Sequence, residues 1–208
     1  MGGVVAGLDE VGRGPLAGPV VAAAVILDPA RLSPRLFQDL DDSKKIRPAA
    51  RRRLADLLYE QAANGAAAIG LGSAEVVEID RINILNATFL AMARAYAALG
   101  RSADWALVDG NRAPKTLPCP VRCLVKGDGI SLSIAAASVV AKVHRDGLME
   151  ALARDFPGYG WEKNAGYGTG AHLEALARLG PTLHHRRSFA PVAAVVSRQK
   201  ESWDSRGS

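Results

Sequence analysis

Four acidic residues in this chain stand at positions where carboxylates can do chemistry together. Asp9 and Glu10 close the apolar run that starts at Val4, Asp109 closes Trp105-Ala106-Leu107-Val108, and Asp128 follows the Val121–Val125 run in Lys126-Gly127-Asp128. One acid at a strand end is ordinarily a turn former or a helix cap. If the strands are neighbours, however, three or four carboxylates meet at one sheet edge. Like charges a few ångströms apart raise each other's pKa, so such a cluster needs a counter-charge. Hard divalent cations supply it, because they take carboxylate oxygens. Two such ions ~3.5–4 Å apart activate a water and steady the leaving oxygen in phosphodiester hydrolysis. Successive residues of a regular strand face opposite sides, so Asp9 and Glu10 share a site only through a backbone bend. Gly12 and Gly14, directly after them, make that bend plausible.

The elements that must carry these acids follow from periodicity. Val4–Leu8 reads as a buried strand and Pro19–Leu27 as a second, with a Gly/Pro-rich turn between them. The charged run Asp39–Lys45 reads as a loop, and Pro48 suits the first turn of a helix through Leu54, Leu57 and Leu58. Ala66–Leu71 is a third strand. Asn83 suits the N-cap of a helix with apolar Leu85, Phe89, Met92 and Tyr96, stopped by Gly100. Two short strands, Trp105–Val108 and Val121–Val125, precede a long helix from Ser131 to about Arg154. Its small residues Ala135, Ala136, Ala137 and Ser138 permit close packing on the sheet. A further helix covers Gly170–Leu179, and from Arg198 the chain is polar and frays. Strands followed by mixed strands and helices give an α/β layer fold with one central sheet.

Composition excludes several classes. A 208-residue chain with 49% hydrophobic and 23% charged residues builds a core without disulfides or a structural metal. Cys119 and Cys123 form a lone C-x3-C, which argues against a zinc ribbon or a secreted disulfide scaffold. No signal peptide or membrane span is visible, so the expected location is the cytoplasm. A net charge of +5 permits a polyanionic partner. The segment Gly12-Arg13-Gly14-Pro15-Leu16-Ala17 fits G-x-G-x-x-A, yet it is no dinucleotide fingerprint. Those glycines must open a helix onto a pyrophosphate, whereas here a β-type run follows, and Asp9-Glu10 would repel a bare phosphate.

Longer blocks resemble bacterial ribonuclease HII. They are Asp9-Glu10-Val11-Gly12-Arg13-Gly14-Pro15-Leu16-Ala17-Gly18-Pro19, Asp42-Ser43-Lys44-Lys45, Ile79-Asp80-Arg81-Ile82-Asn83-Ile84-Leu85, Val108-Asp109-Gly110-Asn111 and Lys126-Gly127-Asp128. Ile134–Asp146, Gly166-Tyr167-Gly168-Thr169 with His172, and His185-Arg186-Arg187-Ser188-Phe189 complete the series, over roughly residues 4 to 192. The resemblance implies an α/β ribonuclease H-like fold, with a mixed five-stranded sheet flanked by helices and a small C-terminal helical part. With it the chain divides into a catalytic domain at 1–155 and a helical substrate-binding part at 156–197, and the polar composition of 198–208 makes that stretch a disordered tail. The resemblance also implies a monomeric endonuclease that cuts RNA paired to DNA, including single ribonucleotides in duplex DNA, with Mn²⁺ or Mg²⁺ as cofactor. The catalytic, metal-holding acids are then Asp9, Glu10, Asp109 and Asp128. Gly12, Arg13 and Gly14 contact the ribonucleotide's 2′-hydroxyl side and Tyr167 senses the substrate, with Ser43, Lys44 and Lys142 also binding it. Ala165 stands where the family often has a lysine.

The residues agree on selectivity. Amides of a Gly-rich loop can approach a 2′-hydroxyl, and a tyrosine ring can stack on sugar or base. By charge, Lys44, Lys45, Lys142, Arg145, Lys163 and Arg187 could meet phosphates, while the four histidines read as surface or packing residues. Two rival readings stay open. One is a DNA-directed nuclease of the same fold, with the same acids but indifferent to the 2′-hydroxyl. The other is a non-catalytic nucleic-acid-binding module, which would gain nothing from four carboxylates at its binding edge.

Overall fold

The computed structural model describes residues 3–41 and 47–204. Its centre is a mixed five-stranded sheet in the order β3-β2-β1-β4-β5. β1 (Val5–Val11), β2 (Val20–Leu27) and β3 (Ala67–Ala74) run as an antiparallel meander. β4 (Trp105–Asp109) and β5 (Val121–Leu124) lie parallel to β1 on its other side. β2, buried on both faces, is the near-continuous apolar run Val20–Leu27, as expected for a strand covered by helices twice over.

α3 (Val76–Ala97) covers one face, with Met92 and Ala95 packed on Leu8, Val20 and Val108. The other face carries α4 (Leu132–Asp155), flanked by α1 (Pro34–Asp41) and α2 (Pro48–Ala63). The alanines Ala135, Ala136 and Ala137 are buried in that interface, so α4 lies close to the sheet. Gly7 permits the same approach: a Cβ there would sit 2.2 Å from the backbone of Ser133. α3 is kinked at Asn83, which adopts φ 66, ψ 165, a region left almost entirely to glycine. Its side chain pays for that strain locally, since Oδ1 accepts the amides of Leu85 and Asn86 and caps the second half of the helix. The expected cap at Asn83 is present, inside a helix that begins earlier.

C-terminal to the sheet, α5 (Trp161–Asn164), α6 (Gly170–Leu179) and α7 (Ala190–Asp204) form a small helical part. Trp161, Tyr159 and Met149 join it to α4. Two expectations change. The charged stretch from Asp39 belongs to α1 as far as Asp41 rather than starting a loop. The segment after Arg198 continues α7 to Asp204, because Arg, Gln, Lys and Glu are good helix formers and extend a helix already anchored by buried Val192. No helix among the described residues is long and apolar enough to cross a membrane.

Candidate active site

Strand register brings the first acids together. β1 and β4 pair in parallel with Leu8 opposite Val108, so Asp9 and Asp109 follow as the next neighbours. The strand does not bend between Asp9 and Glu10: their partners on β2 are Ala23 and Ala22, in unbroken register through Val11. The expected glycine-linked bend is therefore displaced to Gly12, at φ 94. What opens the site is instead the early end of β4 at Asp109, which leaves Glu10 past the last paired residue on that side.

The three carboxylates share one electrostatic field. Asp9 is only 7% exposed. Burial pushes its carboxyl up to about 8; a hydrogen bond with Ser138 opposes the rise, and the charges of Glu10 and Asp109 add to it. Glu10 is also raised, chiefly by burial, while the guanidinium of Arg13 at 3.2 Å draws it back. Asp109 is fixed by the amide of Gly127, which donates to its Oδ1 at 2.6 Å. That bond ties the end of β4 to the 3-10 turn Gly127–Gly129, which carries Asp128. Asp128 and Glu10 line a cavity of about 220 Å³ together with Arg51, Ser138, Val139 and Lys142.

Among the described residues no three His, Cys, Asp or Glu side chains are grouped closely enough to hold an ion as they stand. The acids form an open edge rather than a closed cage. They nevertheless fit a hard divalent cation: every donor is a carboxylate oxygen, and Asp9 carries unmet charge cost that a cation would relieve.

Beside this edge runs the irregular segment Gly12–Pro19. Its carbonyls have no regular strand partners, and buried carbonyls need donors. Two arginines supply them. Arg186 donates to Gly12 O at 2.6 Å, Arg13 O at 3.0 Å and Gly18 O at 2.8 Å. Arg145 donates to Ala17 O at 3.1 Å, Pro19 O at 3.0 Å and Ala165 O at 2.9 Å. Both are fully buried, and burial lowers both pKa values, Arg186 to about 9 with help from the charge of Arg145. Arg145 is thus no phosphate contact, because its fork is committed inside the protein. Sequence reasoning passed over Arg186. Its only signal was a place in the His185–Phe189 block, next to a glycine- and proline-rich loop that had no evident donors.

Tyr167 stands on the opposite rim. Its side chain is exposed, and a Cβ built on Gly14 would lie 3.4 Å from its Cε1, so ring and loop face each other closely. Leu16 N donates to Gly166 O at 2.8 Å and joins the two rims. Gly12 is buried, whereas Arg13 and Gly14 are exposed. Lys142 bonds Asp146 at 2.7 Å and reaches the cavity by the acids. A second groove of about 220 Å³ shares Arg51 and Lys142 with that cavity and continues past Arg52 and Lys163. Arg51, absent from the sequence reading, thereby joins these basic residues, while Asp146, Glu150 and Glu162 line the same groove and the first two pair with Lys142 and Arg52. Ser43, Lys44 and Lys45 lie outside the described residues.

Comparisons with known proteins show the family. The family model described as Ribonuclease HII matches residues 6–192. A ribonuclease HII of Paramagnetospirillum magneticum is 69% identical over 94% of this chain and 94% of its own length. One of Rhodospirillum rubrum is 64% identical over 95% of this chain and 88% of its own. The crystal structure of ribonuclease H2 from Pyrococcus horikoshii superposes with a TM-score of 0.76 at 25% identity, covering 94% of this chain and 98% of that one. A Bst-RNase HIII solved in complex with Mn²⁺ shares the fold at a TM-score of 0.68 and 19% identity, over 95% of this chain and 70% of that one. With its family model matching residues 6–192 and a relative 69% identical over nearly its whole length, the chain belongs to the ribonuclease HII family.

Proposed function

We propose that this ribonuclease H cuts endonucleolytically the RNA strand of RNA/DNA hybrids, and duplex DNA at single embedded ribonucleotides, at the edge formed by Asp9, Glu10, Asp109 and Asp128. The observation that carries this reading is the parallel register that sets Asp9 beside Asp109, three residues before the Gly12–Gly14 loop that the Tyr167 ring faces. Asp9, Glu10 and Asp109 hold the cation, which is Mn²⁺ or Mg²⁺ because the donors are all hard oxygens. When bound, such a cation supplies the positive charge that favours water as nucleophile and steadies the leaving oxygen. Asp128, on its own turn, is less essential for holding the ion and orients water or the second cation.

The remaining groups recognise the substrate. The loop amides of Gly12–Gly14 approach the 2′-hydroxyl, which is what distinguishes RNA from DNA at one nucleotide. Arg13, half-exposed and paired with Glu10, stands between the acids and the incoming strand. Tyr167 stacks on the sugar or base at the junction. Lys142, with Ser43 and Lys44, meets backbone phosphates, and the groove past Arg52 and Lys163 extends that track. A single chain supplies every one of these groups, which favours a monomer.

The test is cleavage of two matched duplexes, all-DNA and single-ribonucleotide, with EDTA, Mg²⁺ or Mn²⁺. Cutting only at the ribonucleotide, and only with metal, is the expected result. Equal cutting of both duplexes would favour a DNA-directed nuclease. Salt-dependent binding with no turnover in any metal would favour a binding module.

A further inference from the structure

Behind Tyr167 lie two histidines that the chemistry above does not use. His172 is fully buried and His185 is 1% exposed. Their hydrogen bonds leave one self-consistent proton arrangement. The carbonyl of Tyr167, 2.9 Å from His172 Nδ1, can only accept, so Nδ1 carries the proton. His172 Nε2 then accepts, and it receives the indole N–H of Trp161 at 3.0 Å. His185 Nε2, 3.2 Å from the same nitrogen, then donates to it as well, so that the two N–H groups share its single lone pair. His185 Nδ1 is left as an acceptor, and the amide of Thr182 donates to it at 3.0 Å. All four ring nitrogens are committed, and both rings are neutral. An added proton at His172 Nε2 or His185 Nδ1 would face an N–H. Burial accordingly lowers the pKa of His172, and burial with the nearby His172 and His184 pushes His185 down to about 4.

We infer that His172 is a positioning residue for ribonucleotide recognition: held in its Nδ1–H form by Trp161 and His185, it fixes the backbone of Tyr167 and thereby the gap between the tyrosine ring and Gly14. The backbone around Tyr167 is tied on each side. Its amide donates to Asn164 O at 2.9 Å, its carbonyl also receives the Thr169 amide at 2.8 Å, and Gly166 N donates to Asn164 Oδ1 at 2.8 Å. The His172 ring links this mount to the opposite rim, because His185 bridges to Ala17 and Arg186 N donates to Leu16 O at 2.8 Å. An exposed ring thus sits on a backbone whose spacing from the Gly12–Gly14 loop is set from below. This inference rests on the reading of Tyr167 as the substrate-sensing residue.

The experiment measures kcat/KM on single-ribonucleotide duplexes for His172→Asn, His172→Gln, Tyr167→Ala and the double variant Tyr167→Ala/His172→Gln. Asparagine places an N–H₂ near the Nδ1 position and can keep the bond to the Tyr167 carbonyl. Glutamine reaches only the Nε2 position. The expected result is near-wild-type cleavage for His172→Asn and a loss of about five- to tenfold for His172→Gln, the scale of one hydrogen bond. The double variant should lose nothing beyond Tyr167→Ala alone. If Tyr167→Ala cleaves like wild type, the reading of Tyr167 fails. If Tyr167→Ala is impaired but asparagine and glutamine behave alike, or the losses multiply in the double variant, the role of His172 fails on its own. Should His172→Gln not fold, imidazole ¹⁵N shifts of the wild-type protein decide. Nδ1–H at His172 with Nε2–H at His185 at pH 7 upholds the inference, and any other tautomer pair, or a cationic ring, overturns it.

Discussion

The acid edge and the loop cradle beside it solve opposite electrostatic problems. At the edge, the charge of Asp109 is felt by both Asp9 and Glu10, and burial leaves Asp9 with a carboxyl raised to about 8. In the cradle, Arg145 and Arg186 are cations with no carboxylate on their forks, their donors aimed at backbone carbonyls. The edge carries a charge cost at Asp9 that its own side chains do not offset. The cradle is complete as it stands, with six carbonyls and the two neutral histidines satisfied from inside. A catalytic site gains from unmet charge, since that is what binds the metal. A recognition site gains from rigidity, since telling one hydroxyl from a hydrogen depends on a fixed gap.

The comparison breaks first at Asp109. Replacing it by Asn keeps an oxygen to accept the Gly127 amide, so the turn and the fold survive. The change removes a charge from the edge proposed to hold the metal, and the rate should fall by about a hundred- to a thousandfold, the scale seen when a group that stabilises transition-state charge is lost. Single-turnover cleavage at saturating Mg²⁺, with circular dichroism to confirm folding, checks this. A nearly active variant would remove Asp109 from the metal set.

In the cradle the largest expected effect is on stability. Arg186→Met preserves length and apolar bulk but leaves the carbonyls of Gly12, Arg13 and Gly18 without their donor. Unsatisfied buried acceptors cost on the order of 1–3 kcal/mol each, partly offset by removing a buried charge, so a net loss of about 3 kcal/mol is expected in urea unfolding. Metal binding should change little, because Arg186 touches none of the acids. A variant as stable as wild type would show that water or loop movement meets those carbonyls.

Much of the edge was legible in the sequence, and little of the cradle was. The acids stand at the ends of apolar runs, and strand ends are where period-2 patterns stop, so Asp9 and Asp109 could be placed with no structure. Even there, the unbroken register through Glu10 was not legible, because the glycines suggested a bend two residues too early. α4 and the Asn83 cap could be read because small residues and capping side chains act locally. Arg145 and Arg186 could not. An arginine reads as a surface charge until a distant loop is known to point three carbonyls at it, and Arg186 lies far along the chain from Gly12. The buried histidines share that blindness, since only tertiary contact reveals their partners.

A smaller effect is expected at the rim. Base–aromatic stacking is worth about 1–3 kcal/mol per contact, so Tyr167→Ala should lower kcat/KM on single-ribonucleotide duplexes about ten- to hundredfold. Tyr167→Phe separates ring from hydroxyl: retained activity assigns the role to stacking, and a loss equal to that of Ala assigns it to the hydroxyl. Metal affinity should be unchanged in both. Equal cleavage by wild type and Tyr167→Ala below saturation would leave the tyrosine a packing residue.

The finest test uses pH, because the two regions respond with opposite sign. Asp9 has a folded pKa of about 8 against 3.8 unfolded. The metal-free native state therefore holds the extra proton between those values, and this contribution to stability, full below about 4, is lost as pH rises towards 8. His185 falls to about 4 from 6.5. There the unfolded state holds the extra proton, so the contribution is full above 6.5 and lost as pH falls through 4. Between pH 4.5 and 6.5 the two slopes oppose each other, and metal-free wild type should change little in stability from these groups. Asp9→Asn removes one of them. In EDTA, the stability of the variant relative to wild type should climb steadily from pH 5 to pH 8, by up to about 1.4 kcal/mol per pH unit. Titrating groups away from the edge are common to both proteins and cancel from the difference, whereas Glu10 and Asp109, which act on Asp9, contribute a smaller remainder. Adding Mg²⁺ at pH 8 should stabilise wild type, whose ionised Asp9 then has its counter-charge, and should do much less for the variant. Urea unfolding at four pH values, with and without Mg²⁺, gives both results. Parallel curves for the two proteins in EDTA would mean that Asp9 is already relieved of its charge cost without a metal, and the contrast between an under-compensated edge and a self-sufficient cradle would fail.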